Sequence, residues 1–314
     1  MDEHFVITAP QGRGLILGPE LSALASAALY AVTTIAAALT YDEGTNPATL
    51  IWVRFGFSAA ALWLAARLLR RRLSIPRHQW PAFLGTGFGV MGMTNGYLTS
   101  VAFIPIELAV IIFYSFPLLV GLAEAALQRR RLSALGLLCY LGAFGGLFLA
   151  LGPSFDSLDW RGIALASLAA VSGVVTFLSS RRLAQSVEPL AVACWVNLLG
   201  IAVGGSVLLA VGDFSLPAGE AGWLGLAVAC CAFVAAFALQ VLSLRFAAAG
   251  PVAMMYNFEP ALTVLVAWLL LGAVLTPGQG AGVALILGAL FVAPLAWRPA
   301  GRRRRPAQGE TVSP

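Results

Sequence analysis

The run LGLLCYLGAFGGLFLAL, residues 135–151, carries no charge and shows no alternation of polar and apolar positions. A helix needs about 20 apolar residues to cross a bilayer core, whereas a membrane-spanning strand alternates over about 10. Comparable runs recur along the chain, which divides into ten segments near 19–40, 48–69, 80–103, 106–127, 133–152, 160–180, 189–211, 221–244, 250–272 and 277–297. The expected fold class is therefore an all-α membrane protein with ten transmembrane helices. Of 314 residues, 60% are hydrophobic and 11% charged, against roughly 25% charged in a soluble domain. The opening MDEHFVITAPQGRGLIL lacks a basic start and a small-residue cleavage site, so the first hydrophobic helix is expected to act as an uncleaved insertion signal.

All 19 basic residues are arginines, and 17 of them fall at one set of segment ends: Arg13, Arg67, Arg70 to Arg72, Arg77, Arg129 to Arg131, Arg181, Arg182, Arg245, Arg298 and Arg302 to Arg305. The opposite ends hold Arg161 alone, together with Asp42, Glu43, Asp156, Asp159, Asp213 and Glu220. The positive-inside rule then puts both termini in the cytoplasm of a multi-pass protein of the cell membrane and favours an even number of helices. The net charge of +5 is thus addressed to lipid headgroups, not to nucleic acid. The tail GRRRRPAQGETVSP is expected to be disordered.

Cys139, Cys194, Cys230 and Cys231 all fall within segments, and His4 and His78 lie outside mid-membrane. No metal cluster is assembled from such a set and no cofactor is expected. The absence of GxxxxGK[ST] argues against direct ATP drive.

The chain repeats itself. A shift of 143 residues lays Pro117 on Pro260, Ser100 on Ser243, Phe103 on Phe246, Leu132 on Leu275, Gly145 on Gly288 and Phe148 on Phe291. The implied units are a cytoplasmic segment 1–18, a five-helix repeat 19–152, a second repeat 160–297 and a basic tail 298–314, with GPSFDSLDW (152–160) as the hinge. Five is odd, so the second copy enters the membrane from the opposite face, an inverted repeat of the kind found in secondary transporters.

Polar residues at membrane depth mark the candidate site. In the fourth segment Glu107, Val110, Tyr114, Pro117, Gly121 and Glu124 follow steps of three and four and share one face. In the ninth, Asn257 matches Tyr114, and Glu259 precedes the expected bend at Pro260, as the fourth segment bends at Pro117. A proline removes a hydrogen bond, which is expected to leave a carbonyl near residue 256 free. An ionisable group inside a bilayer is expensive and marks function by default. Glu259 is the best placed carboxylate for substrate binding or proton coupling. Glu124 lies above Arg129 to Arg131, so pairing with an arginine there is its plainer reading. Tyr30, Asn95, Tyr97, Asn197 and Gln240 complete the set, each with interhelical hydrogen bonding as its simpler reading. Arg54 is read as reaching the outer interface or pairing with an acid. Gly85, Gly89, Gly92 and Gly96 form a small-residue stripe for close helix packing.

The ten segments, the inverted duplication, NGYLTSVAFIPIELAVIIFYSFPLL and its counterpart QVLSLRFAAAGPVAMMYNFEPALTVLVAWLLLG together resemble the EamA family of the drug/metabolite transporter superfamily. The resemblance spans residues 20 to 297, and Glu259-Pro260 and Arg54-Phe55 are among its most specific pieces. It implies a bundle with a central cavity and export or exchange of small metabolites by alternating access. Where relatives often carry a helix-end glutamate, this chain has Arg130 and Ala273.

The expected function is therefore secondary transport of a small-molecule substrate, with proton coupling and a homodimer left open and no catalytic residue. A non-transporting scaffold or sensor is the alternative, followed by an intramembrane lipid-modifying enzyme. The latter is disfavoured by the lack of clustered His, Asp, Ser or Cys in catalytic geometry.

Overall fold

The computed structural model describes residues 18–153, 155, 158–271 and 274–297. The segment 1–17, the tail 298–314, Asp156, Ala273 and part of the 152–160 connection, on which the sequence reading places expectations, lie outside these residues. The described residues form α1 (Pro19–Asp42), α2 (Pro47–Leu68), α3 (Trp80–Ser100), α4 (Ile106–Phe113), α5 (Phe116–Leu127), α6 (Ala134–Leu151), α7 (Trp160–Ala184), α8 (Pro189–Val211), α9 (Glu220–Phe246), α10 (Ala249–Met255), α11 (Phe258–Leu271) and α12 (Pro277–Ala296). No strand occurs among them.

Helix ends follow local chemistry. Proline opens α2, α8 and α12, where its missing N–H costs nothing. Asn46, Ser133 and Asp159 accept a first-turn N–H, and Thr276 with Gln279 forms a capping box. Such caps satisfy amides that a helix cannot satisfy internally. Gly152 and Gly212 close α6 and α8 with φ of 55° and 71°, the left-handed turn open to glycine. α7 runs to Ala184, past the expected end at 180, and carries Arg181 with it. α3 stops at Ser100, short of the expected 103.

Nine spans among the described residues are long and apolar enough to cross a membrane, with α4–α5 and α10–α11 counted as one each. α3, diluted by glycine and threonine, is not among the nine. The chain is a multi-pass membrane protein.

The helices pair across the two halves. α1 packs along α9, and its repeat counterpart α7 packs along α3; α2 packs on α8, α5 on α10, and α6 on α12. Exchanging the halves maps the α1–α9 pair onto α7–α3 and the α2–α8 and α6–α12 pairs onto themselves. At one end the 42–46 and 212–219 loops meet, with the Asn46 N–H donating to Ser215 Oγ at 2.8 Å and the Ala218 N–H to the Glu43 carbonyl at 3.0 Å. At the other end Glu188 faces Arg71 and Arg245, each at 3.9 Å. Arg161 is matched locally by Asp159 at 2.7 Å, and these hydrogen bonds hold the Asp159 carboxyl below its usual range.

The glycine stripe of α3 is an observed contact. A Cβ on Gly85 would meet Ser179, on Gly89 Thr176, on Gly92 Ser172, and on Gly96 the Leu165 carbonyl at 3.0 Å. The closest approach of backbones lies between α6 and α12. There a Cβ on Gly282 would meet the Ala150 nitrogen and, at 2.5 Å, the Gly146 carbonyl oxygen. Backbone atoms cannot rotate aside, so Gly282→Ala is expected to destabilise the protein by about 1–3 kcal/mol. Gly145→Ala, whose Cβ meets nothing within 4 Å, is the control; melting temperatures in detergent should separate the two.

Candidate functional site

The fourth and ninth segments are broken, not bent. α4 ends at Phe113 and α5 begins at Phe116; α10 ends at Met255 and α11 begins at Phe258. Each break falls just before its proline, Pro117 or Pro260, and the two breaks overlap in repeat register at Tyr114 and Asn257. The carbonyl expected to be free near residue 256 is in fact satisfied: Tyr256 O accepts the Glu259 N–H at 3.1 Å. The tighter three-residue bond replaces the one that proline removes. Asn257 closes the preceding turn, its Nδ2 donating to the Met254 carbonyl at 3.0 Å.

The break places Glu259 in the first turn of α11, where the helix dipole favours a carboxylate. Its Oε1 accepts from Thr34 Oγ1 at 3.4 Å, and the Tyr114 hydroxyl lies close by. Arg54 and Tyr30 lie within electrostatic reach, as do Tyr97 and Tyr256. Thr34 is exposed and Glu259 half-buried, whereas Tyr114, Asn257 and Pro260 around them are buried. Glu259 and Thr34 thus keep accessible surface among buried neighbours.

Polar hydrogen bonds brace this wall. Tyr30 Oη donates to Gln240 Oε1 at 2.9 Å, tying α1 to α9. Ser26 Oγ donates to the Ala236 carbonyl at 2.6 Å and sits 2.6 Å from Tyr256 Oη. Toward the loop end that holds Asn46 and Asp213, a pocket of about 300 Å³ opens between α2, α3 and α8, lined by Asn46, Ile51, Asn95, Thr99 and Asp213 among others. Ile51 stands one helical turn before Arg54 on α2, whereas Asn95, two residues before Tyr97 on α3, faces away from it.

Glu124 does different work. It is buried at the end of α5, where Oε1 accepts the Ala249 N–H at 3.0 Å and Oε2 the Gly250 N–H at 2.8 Å. These are first-turn amides of α10, so the carboxylate fastens one half-helix to the next. Arg181 of α7 stands 3.6 Å from Oε1 and also donates to the Ala247 carbonyl. The expected arginine partner thus exists, but it is Arg181 of the other half, not the exposed run Arg129 to Arg131. Gln128 Nε2 adds a bond at 3.2 Å.

A model of the EamA-like transporter family matches the chain twice, at residues 18–152 and 160–294. The chain belongs to this family. The threonine/homoserine exporter RhtA of Escherichia coli K12 is 29% identical over 229 residues, covering 71% of this chain and 72% of that one. RhtA of Salmonella typhimurium LT2 is 27% identical over 225 residues, covering 69% and 72%. A crystal structure of 23% identity superposes with a TM-score of 0.76 over 88% of this chain and 98% of its own, which shows a shared fold.

The sequence-selected residues fall into three places. Tyr30, Tyr97, Tyr114 and Glu259 come together at one wall, with Gln240 behind Tyr30; Asn95 lines the pocket between α2, α3 and α8; Glu124 lies at the opposite end. Asn197 is buried in α8, with Nδ2 on the Ala193 carbonyl at 2.7 Å, and joins none of these. Tyr256 and Arg181 are additions that spacing along one helix could not supply, since their partners lie on other helices.

A double-mutant cycle checks the Glu124 latch. Glu124→Gln and Arg181→Gln are each expected to lower the melting temperature, with a coupling of about 0.5–3 kcal/mol between them. Strict additivity would show that the two side chains do not share the latch.

Proposed function

We propose that the protein is a secondary transporter of the cell membrane that exports or exchanges a small organic solute by alternating access, its ten segments forming two inverted repeats with both termini cytoplasmic. The single observation that carries this reading is Glu259, a carboxylate in the first turn of a broken helix, with accessible surface among buried neighbours. A buried acid that served packing alone would be enclosed by its partners. The activity of the RhtA relatives, threonine and homoserine export, supports amino-acid-like solutes as first candidates.

Loop contacts favour inversion. The loop after α1 meets the loop after α8, whereas the loop after α7, its repeat counterpart, approaches Arg71 and Arg245 at the other end. In a Cys-free background, cysteines at Asp42 and Asp213 are expected to label from outside whole cells, and cysteines at Ser74 and Ser186 only after permeabilisation. Labelling of Asp42 and Ser186 from the same side would end the inverted assignment.

Glu259 is the coupling group in this reading, holding a proton in one access state and releasing it in the other. In proteoliposomes, wild-type protein is expected to accumulate labelled threonine or homoserine against an imposed proton gradient, and Glu259→Gln to lose that accumulation. An undiminished gradient response in Glu259→Gln would remove this residue from coupling while leaving the transporter reading intact.

A further inference from the structure

Arg54 is a cation without an anion. Among the described residues its guanidinium makes no hydrogen bond and no ion pair, and its Nε is buried with no partner. One face of the group is occupied, since it lies 4.1 Å from the centroid of the Phe233 ring and 5.8 Å from that of Phe55. That shelf is rigid: Phe233 packs edge-on against Phe55 at 5.7 Å and against Tyr30 at 5.9 Å, and lies parallel to Phe237 at 6.1 Å.

Aromatic rings engage the flat face of a guanidinium and leave its edge untouched. The edge carries five N–H donors in a fixed fork that matches a carboxylate with two parallel bonds. A guanidinium stacked on its face and free at its edge is therefore oriented for an anion that the protein does not itself supply.

Glu259 is the acid within electrostatic reach of Arg54, alongside the neutral partners Tyr30, Tyr41 and Cys230. The two charges do not pair. Arg54 is held on α2 by the aromatic shelf, and Glu259 on α11 accepts from the Thr34 hydroxyl. Opposite charges in mutual reach but unpaired give the site a positive side and a negative side. A buried charge left unmatched is costly, and an anion alone or a cation alone would match only one side.

Resting on the transporter reading, we infer that the site between Arg54 and Glu259 receives a zwitterionic α-amino acid, its carboxylate on the Arg54 fork and its ammonium at Glu259. Bound this way, ligand and site form two matched ion pairs with no net charge added to the interior. The same carboxylate then meets either the ammonium or a proton, so loading the amino acid and holding the proton exclude each other.

The test uses threonine and two deletion analogues on purified full-length protein in proteoliposomes: L-threonine, 1-amino-2-propanol, which lacks the carboxylate, and 3-hydroxybutyrate, which lacks the ammonium. Each is titrated as a competitor of labelled threonine in counterflow, and each is assayed directly for stabilisation by thermal shift. In wild type, removing either charged group from the ligand is expected to weaken binding roughly tenfold or more, the scale of a lost charge-assisted bond. Arg54→Met should erase the preference for threonine over 1-amino-2-propanol while keeping that over 3-hydroxybutyrate; Glu259→Gln should do the reverse. Arg54→Lys, which keeps the charge but not the fork, should fall between.

Wild type that takes threonine and 3-hydroxybutyrate equally, or threonine and 1-amino-2-propanol equally, overturns the two-ended site and leaves the transporter intact. The wild-type ligand series decides this even where a variant fails to fold. Arg54→Met that discriminates as wild type does overturns the role of Arg54. Wild type that neither moves nor is stabilised by any of the probes or any other labelled amino acid overturns the inference and leaves the transporter reading to solutes of another class.

Discussion

A helix broken inside a bilayer exposes amide and carbonyl groups that lipid cannot satisfy, and this bundle is arranged around two such breaks. At residues 114–115 and 256–257 the chain leaves one helix and enters another within the thickness of the membrane. Both breaks are buried among other helices, and local three-residue bonds from Ser115 N to Ile112 O and from Asn257 N to Met254 O keep their backbone groups paired. The pairing of α5 with α10, of α4 and α5 with α7, and of α10 and α11 with α1 is what allows irregular backbone at this depth.

The two breaks share a geometry and differ in chemistry. Residue 116, equivalent to 259 in repeat register, is phenylalanine: its ring lies 5.3 Å from Phe113 and from Phe177 and 5.9 Å from Tyr114. Residue 259 is glutamate with accessible surface of its own. One copy of the element is filled by aromatic rings and the other is left polar. A duplicated scaffold thus becomes asymmetric through one pair of equivalent positions, and the asymmetry is what gives the site a chemical address.

Much of this was readable beforehand, for physical reasons that differ from residue to residue. Apolar runs and the prolines and glycines between them mark helix ends, because those residues act on the backbone where they stand; Pro47, Pro189 and Pro277 open their helices, and Gly152 closes one. Glu259 was selectable because a carboxylate at that depth is costly wherever the chain goes. The breaks were less legible: proline announces a disturbance but not whether the helix curves or stops, and Tyr256 O finding the Glu259 N–H depends on local backbone adjustment. Partners between helices were illegible. Arg181 and Glu124 stand 57 residues apart in different repeats, and nothing in the run Arg129 to Arg131 says that it is passed over. Arg54 was visible as an oddity, but an aromatic shelf contributed by Phe233 of α9 is a tertiary fact.

Glu124 holds the first amides of α10, so the latch is also a plug. If α5 and α10 part, the Ala249 and Gly250 N–H groups lose their acceptor, and in a dry interior nothing replaces it. Water must arrive as the carboxylate leaves. Separation at this end is therefore inseparable from wetting: the seam opens as a hydrated passage or stays shut, with no stable dry intermediate between the two.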